Sequence, residues 1–291
     1  MAKLIFGCGY LGLRVAKLWQ ARGENVVAIT RSRDRAAALA AEEFGPLIAD
    51  ITQAETLTPL PAASSALFAV SVDRRAGASP HDVHVTGLGN VLDALAATGT
   101  DCRLIYISST GVYGQTGGEE VDERSPCEPK SESGRACLAA EHLIAAHPLG
   151  KNAVVLRMAG LYGPGRVPNA DAVREQRPIG GAPDTYLNLI HVDDAAAAVL
   201  GANERGKPGG TYNISDGHPV LRREYYEHLA RIYRAPPPVF APENSAASRT
   251  GRDATNKRVA NTRMQSELRV PLHYQSIREG LAAIAAIPDD Q

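Results

Sequence analysis

Short apolar runs alternate with longer stretches of helical period through the first half of the chain. Leu4-Ile5-Phe6 precedes the helical stretch Leu11 to Arg22, Val26 to Ile29 precedes Arg35 to Glu43, and Ala66 to Val70 precedes Val83 to Ala97. Leu47-Ile48-Ala49, Arg103 to Ser108, the helical stretch Ser133 to Ala146, and Ala153 to Leu156 continue the series. Strands that alternate with helices pair in parallel, because each helix carries the chain back to the end of the sheet it started from. About six strands are predicted, as in a doubly wound nucleotide-binding sheet. The expected class is α/β: a Rossmann-type doubly wound parallel sheet with a smaller C-terminal α/β lobe.

That lobe is expected to begin where the rhythm breaks. After Gly160, the residues Gly163-Pro164-Gly165, Pro168, Pro178, Gly180-Gly181 and Pro183 deny the chain long helices. Residues 1–160 are read as one domain and 161–291 as a second, smaller lobe whose segments interleave with the first. Within it, Asp193 to Leu200 and Arg223 to Tyr233 carry a helical period, while Pro236-Pro237-Pro238 and Asn244 to Thr250 read as exposed connections.

The first strand runs directly into Gly7-Cys8-Gly9-Tyr10-Leu11-Gly12, which opens a helix. In that context the glycines act differently from one another. Gly7 makes the tight turn, Gly9 lets backbone approach a pyrophosphate, and Gly12 lets the helix lie against the strand. Tyr10 and Leu11 lie within the same loop. An NAD site ordinarily places a carboxylate after the second strand to hold the ribose hydroxyls; here the chain reads Thr30-Arg31-Ser32-Arg33. A carboxylate repels a 2'-phosphate and a guanidinium pairs with it, so Arg31 and Arg33 predict NADP in preference to NAD. Asp50, after the third strand, either accepts from an adenine amino group or caps the following turn, with Ile51 packing on the ring in the first case. Val70, Ser71 and Met158, at later strand ends, complete the expected cofactor residues.

Composition narrows the partners. A formal net charge of -1 provides no basic field for a phosphate backbone, and the arginines between Arg249 and Arg263 lack interleaved aromatics, so nucleic acid is not expected. No stretch reaches the ~20 apolar residues of a membrane helix. Cys8, Cys102, Cys127 and Cys137 form no C-x-x-C pair and have no histidine at zinc spacing, so no metal is expected. The expected setting is the cytoplasm, with free thiols and a small-molecule partner.

The segments Ile107 to Gly114 (ISSTGVYG), Asp122-Glu123, Arg157 to Pro164 (RMAGLYGP) and Ile190 to Asp194 (IHVDD) stand in order and at the right spacing to resemble the extended short-chain dehydrogenase/reductase, or NAD-dependent epimerase/dehydratase, family. The likeness runs from residue 2 to about 282, through Gly210 to Ile214 (GTYNI) and Ser276 to Leu281 (SIREGL). It implies a dinucleotide on the first lobe and a substrate such as a nucleotide sugar in the cleft; a homodimer is the one assembly considered. Two departures stand out. The family's G-x-x-G-x-x-G loop would need glycine at Phe6, and its catalytic Tyr-x-x-x-Lys falls, counting back from Glu141, on Ser133 and Cys137.

A phenol with an ordinary pKa near 10 works as an acid when a lysine charge stabilises its anion; a serine hydroxyl is a far weaker acid. Ser109 matches the family's catalytic Ser/Thr and is expected either to donate to a substrate oxygen or to be a satisfied strand-end hydroxyl. Tyr113, Tyr162, Cys137 and His191 are the other titratable candidates, with Asp193 or Asp194 expected to cap a helix. The resemblance implies an atypical NADP(H)-dependent oxidoreductase or epimerase acting on a nucleotide-sugar-like or carbonyl substrate. The alternative is a non-catalytic, regulatory or redox-sensing dinucleotide binder.

Overall fold

The computed structural model describes residues 1–73, 77–242 and 255–286. The Asn244 to Thr250 segment, and Arg249 with it, lies outside them.

The continuous apolar runs become strands, buried on both faces in the middle of the sheet and largely exposed in the edge strand Gly45–Ile48. β1 (Ala2–Phe6) is buried at all five positions and is followed by α1 (Gly12–Gln20), β2 (Val26–Thr30), α2 (Arg33–Ala41) and β3 (Gly45–Ile48). β4 (Ala63–Phe68) then leads to a π-helical turn, Asp82–Gly87, which continues into α3 (Leu88–Ala97). β5 (Arg103–Ser109), β6 (Glu119–Val121), α4 (Glu132–Ala146) and β7 (Val154–Met158) complete the first half.

The second half carries β8 (Gly160–Tyr162), α5 (Ala170–Arg174), β9 (Tyr186–Leu187), β10 (Leu189–His191) and α6 (Val192–Arg205). β11 (Gly210–Ile214), β12 (Val220–Leu221), α7 (Arg222–Tyr233), β13 (Lys257–Val259) and α8 (Ile277–Ala285) follow.

Seven parallel strands form the main sheet in the order β11-β7-β5-β4-β1-β2-β3. The expected count of about six is one short, because the edge strand β11 returns from beyond residue 200. The strand order reverses between β1 and β4, and at such a point the connecting loops diverge and leave a crevice at the carboxyl ends of the strands.

Each face of the sheet has its own core. Val15, Ala16 and Trp19 of α1 pack with Ala195, Ala198 and Val199 of α6 on one side. Leu88, Val91, Leu92 and Leu95 of α3 pack with Phe6, Phe68 and Tyr106 on the other. The run of alanines in α6 has a purpose here, since small side chains let α6 and α1 share one face of the sheet.

Around α5, α7 and α8 a separate core gathers Tyr162, Val173, Leu189, Tyr225, Tyr226, Leu229, Ile277 and Leu281. Three two-stranded pairs, β8 with β10, β9 with β12 and β6 with β13, join this lobe to the loops leaving the main sheet. Among the described residues no helix is long and apolar enough to cross a membrane.

Candidate active site

In the glycine loop each of the three glycines meets different surroundings. Gly7 has φ +90°, and a Cβ there would lie 2.6 Å from the Ala69 carbonyl oxygen on the neighbouring strand end. A Cβ on Gly12 would lie 2.3 Å from the Gly7 oxygen and 3.2 Å from Ile5 Cγ2, so the helix meets the strand without any side chain between them. Above Gly9 nothing stands within 4 Å. The loop is closed where it touches protein and open where it faces the crevice, the shape a pyrophosphate needs.

From this loop a cleft of about 800 Å³ extends to the second lobe. Tyr10, Leu11, Val70, Ser71 and Met158 line it on the side next to the glycine loop. Tyr10 lies between the guanidinium groups of Arg14 and Arg166, 4.4 and 5.4 Å from its ring centre, and donates to the Pro164 carbonyl at 3.2 Å. It thereby bridges the glycine loop and the second lobe.

The arginines after β2 are arranged differently from one another. Arg31 donates to Asp73 at 2.5 Å and remains half-exposed, while Arg33 is the exposed first residue of α2. Arg35, which no motif singles out, reaches back to the Cys8 carbonyl at 2.9 Å and so stands on the glycine loop itself. Its one signal in the sequence is that it is the third arginine of Arg31-Ser-Arg-Asp-Arg35, one helical turn beyond the first.

Asp50 caps its turn: Oδ1 accepts from the amide and the hydroxyl of Thr52 at 2.9 and 2.8 Å. Ile51 is packed, 8% exposed, against Gly87 of the π-helical turn, which leaves little of it for an adenine ring.

At the next strand end, Ser109 lines the cleft and its Oγ accepts from the Gly111 amide at 3.0 Å, leaving its own proton free to be donated. α4 approaches this turn so closely that a Cβ on Gly134 would lie 2.3 Å from the Gly111 oxygen. Ser131, Ser133 and Cys137 therefore line the same cleft. Burial pushes the Cys137 thiol up to about 11, with Glu141 adding to the rise, so it is a protonated, packed side chain at neutral pH.

Tyr113 stands elsewhere. Fully buried, it donates to Asn213 Oδ1 at 2.8 Å and accepts from Arg157 Nη1 at 2.9 Å, and burial pushes its phenol up to about 12. Arg157 also pairs with Glu141 at 2.7 Å, and Ser108 donates to the same carboxylate at 2.6 Å. This buried network ties α4 to β5, β7 and β11 behind the cleft, and Tyr113 belongs to it rather than to the cleft wall.

The Ile190 to Asp194 segment is likewise structural, but its parts are distributed otherwise than expected. His191, not an aspartate, caps α6: its Nδ1 accepts from the Asp193 amide at 3.3 Å. Desolvation lowers the pKa of this 1%-exposed imidazole, which lies between Tyr162 and Tyr274. Asp193 pairs with Arg14 at 2.8 Å. Asp194 accepts from the His273 and Tyr274 amides at 2.8 and 3.0 Å. Tyr162 is fully buried against Gly280 of α8.

Two more titratable groups face the cleft unannounced by any motif. His84, on the π-helical turn, shares a hydrogen bond with Tyr106 at 2.9 Å and is lowered to about 4 by burial. Lys257 of β13 lines the opposite end. Among the described residues no group of His, Cys, Asp and Glu is arranged to hold a metal ion.

Over residues 4–215 the sequence matches the model of the NAD dependent epimerase/dehydratase family. The chain belongs to that family. It is 30% identical over 266 residues to the protein YeeZ of Escherichia coli (strain K12), covering 88% of this chain and 92% of YeeZ. It is 28% identical over 313 residues to the 3-diazoavenalumate denitrifying reductase of a Streptomyces species, covering 97% of this chain and 99% of the reductase. The dTDP-glucose 4,6-dehydratase DesIV of Streptomyces venezuelae, solved with NAD and TYD bound, shares the fold with a TM-score of 0.83 at 20% identity, over 98% of this chain and 96% of that one. In this member of the epimerase/dehydratase family, the cleft that opens from the glycine loop passes Ser109 and the N-terminus of α4 before it reaches the second lobe.

Proposed function

We propose that the protein is an NADP(H)-dependent oxidoreductase of the epimerase/dehydratase/reductase type, working in the cytoplasm on a small carbonyl or nucleotide-sugar-like substrate. The observation that carries this is the open space above Gly9 in a loop otherwise packed shut, whose next residues, Tyr10 and Leu11, line the cleft that holds Ser109. The glycine loop would hold the pyrophosphate, and Arg31 and Arg33 would pair with a 2'-phosphate, while Arg35 supports the loop through the Cys8 carbonyl. When bound, the dinucleotide supplies or accepts hydride. Val70, Ser71 and Met158 line its side of the cleft, and Ser109 would donate to the substrate oxygen.

Ser133 and Cys137 stand at the family's Tyr and Lys positions and supply neither a phenol nor an ammonium. One observation favours a second, non-catalytic reading: the Cys137 thiol is pushed up to about 11, so nothing at that position titrates near neutral pH. A redox-reporting dinucleotide binder would use the same loop without turnover.

Fluorescence titration with NADPH and NADH, on the parent and on Gly9→Val, tests the proposal. Tighter NADPH binding, weakened in Arg31→Ala and lost in a folded Gly9→Val, is the expected result. A folded Gly9→Val that still binds removes the dinucleotide site. Bound cofactor without turnover on a broad panel of carbonyl substrates gives precedence to the second reading.

A further inference from the structure

The substrate side of the cleft holds a cation whose position nothing so far explains. Lys257 is 7% exposed, and its Nζ donates to the Thr255 hydroxyl at 3.1 Å. Its backbone is fixed from both lobes. Asn188 donates to the Lys257 carbonyl at 2.9 Å and accepts from the Val259 amide at 2.7 Å, while β13 pairs in register with β6, Lys257 opposite Glu119. Glu119 is exposed and accepts from the Gly117 amide at 2.9 Å. Arg222 also lines the cleft and is engaged by the Thr185 hydroxyl at 3.0 Å. Among the described residues lining the cleft there is no aspartate or glutamate.

A buried ammonium that pairs with no carboxylate among the described residues is costly, and a methionine or leucine would fill the same space without that cost. Packing therefore does not explain a lysine here. Desolvation lowers it to about 8, so at neutral pH it is still mainly charged and gains from an anionic neighbour. Neighbouring Arg258 is treated oppositely: it is exposed and donates to the Gly118 carbonyl at 3.0 Å.

We propose that Lys257 receives an oxyanion on the substrate, a carboxylate or a phosphate ester, and so fixes the end of the substrate away from the dinucleotide loop. This rests on the reading of the cleft as a substrate site. Lys257 is a binding residue in this role, and the selectivity it confers is for charged over neutral carbonyl compounds.

The test uses sulfate as the probe on protein saturated with NADP⁺, so that the phosphate sites of the dinucleotide are filled. Calorimetry is expected to show sulfate binding that weakens at least tenfold in Lys257→Met and no more than a few fold in Lys257→Arg, with NADP⁺ affinity unchanged in both. Equal sulfate affinity in Lys257→Met and the parent overturns the proposal.

A second measurement needs no variant: acylation of Lys257 by acetic anhydride, read by peptide mass spectrometry, should be slowed by sulfate while that of exposed Lys130 and Lys151 should not. Unslowed acylation of Lys257 counts equally against the proposal. Repeating the protection with methyl phosphate and with acetate distinguishes the two head groups. Should NADP⁺ fail to bind, the dinucleotide reading falls, and acylation of the free protein still decides the role of Lys257.

Discussion

Asp216 follows β11 and is 1% exposed. One carboxylate oxygen accepts from the His218 amide at 2.8 Å, and the other is buried without a partner. Desolvation, with Asp194 adding to it, raises the carboxyl to about 7 against the pull of His218. The folded state therefore holds a proton that the unfolded chain releases near pH 4, so this group's contribution is full below that pH and is lost as pH rises through about 7. Asp216→Asn keeps the acceptor for His218 and removes the titration. Denaturant melts from pH 5 to 8 should show the parent losing about 1–3 kcal/mol relative to the variant across that window. Parallel curves would mean that Asp216 is solvated or already paired.

At the scale of elements, the proposed chemistry depends on how the end of β5 meets the start of α4. Gly111 and Gly134 let the two approach, which brings Ser109 and Ser133 to one cleft wall by different routes. Ser109 sits at a strand end with its oxygen already accepting an amide and its proton available to donate, whereas Ser133 lies in the first turn of a helix. If the protein turns over a carbonyl substrate, Ser109→Ala should slow the chemical step by a factor on the order of 10² to 10³, and Ser133→Ala should leave it within a few fold. Single-turnover kinetics with saturating cofactor reads this, and equal losses would place Ser133 beside Ser109 in the chemistry.

The same elements show what is legible in the sequence. β1 to β5, β7 and the glycine loop follow from apolar runs and from spacing that depends only on near neighbours in the chain. β11 is anticipated only through the family resemblance, because five residues at the far edge of a sheet carry no periodic signal of their own. Tyr113 is misplaced by the sequence for a related reason: its partners, Arg157 and Asn213, stand 44 and 100 residues away, and only the folded network shows the phenol is already committed. Arg35, His84 and Lys257 are hidden because none of them stands in a motif whose spacing assigns it a role. Their roles arise from burial and from which wall of the cleft they face.

For the whole molecule, what matters is how the two lobes are held so that a cleft between them keeps its shape. α6 belongs to the first lobe by its packing on α1, yet its first turn carries Asp194, fully buried, whose two oxygens accept the amides of His273 and Tyr274. From there the chain enters α8, which closes the core of the second lobe through Ile277 and Leu281. Asp194 therefore fastens the last segment of one lobe to a helix of the other, with Tyr274 resting on His191 at a ring separation of 3.9 Å beside it. Asp194→Asn has the same shape but turns an amide donor toward one of the two N–H groups, leaving a buried donor without an acceptor at a cost of about 2–3 kcal/mol. At about 2–4 °C per kcal/mol for a chain of this size, the melting temperature should fall by roughly 5–10 °C. Hydrogen exchange should quicken first at residues 272–286, while NADPH affinity, set by the glycine loop on the other side of α1, should stay within about threefold. An unchanged melting temperature, or exchange that quickens uniformly over both lobes, would show that the lobes are held by their apolar contacts and that this carboxylate is incidental.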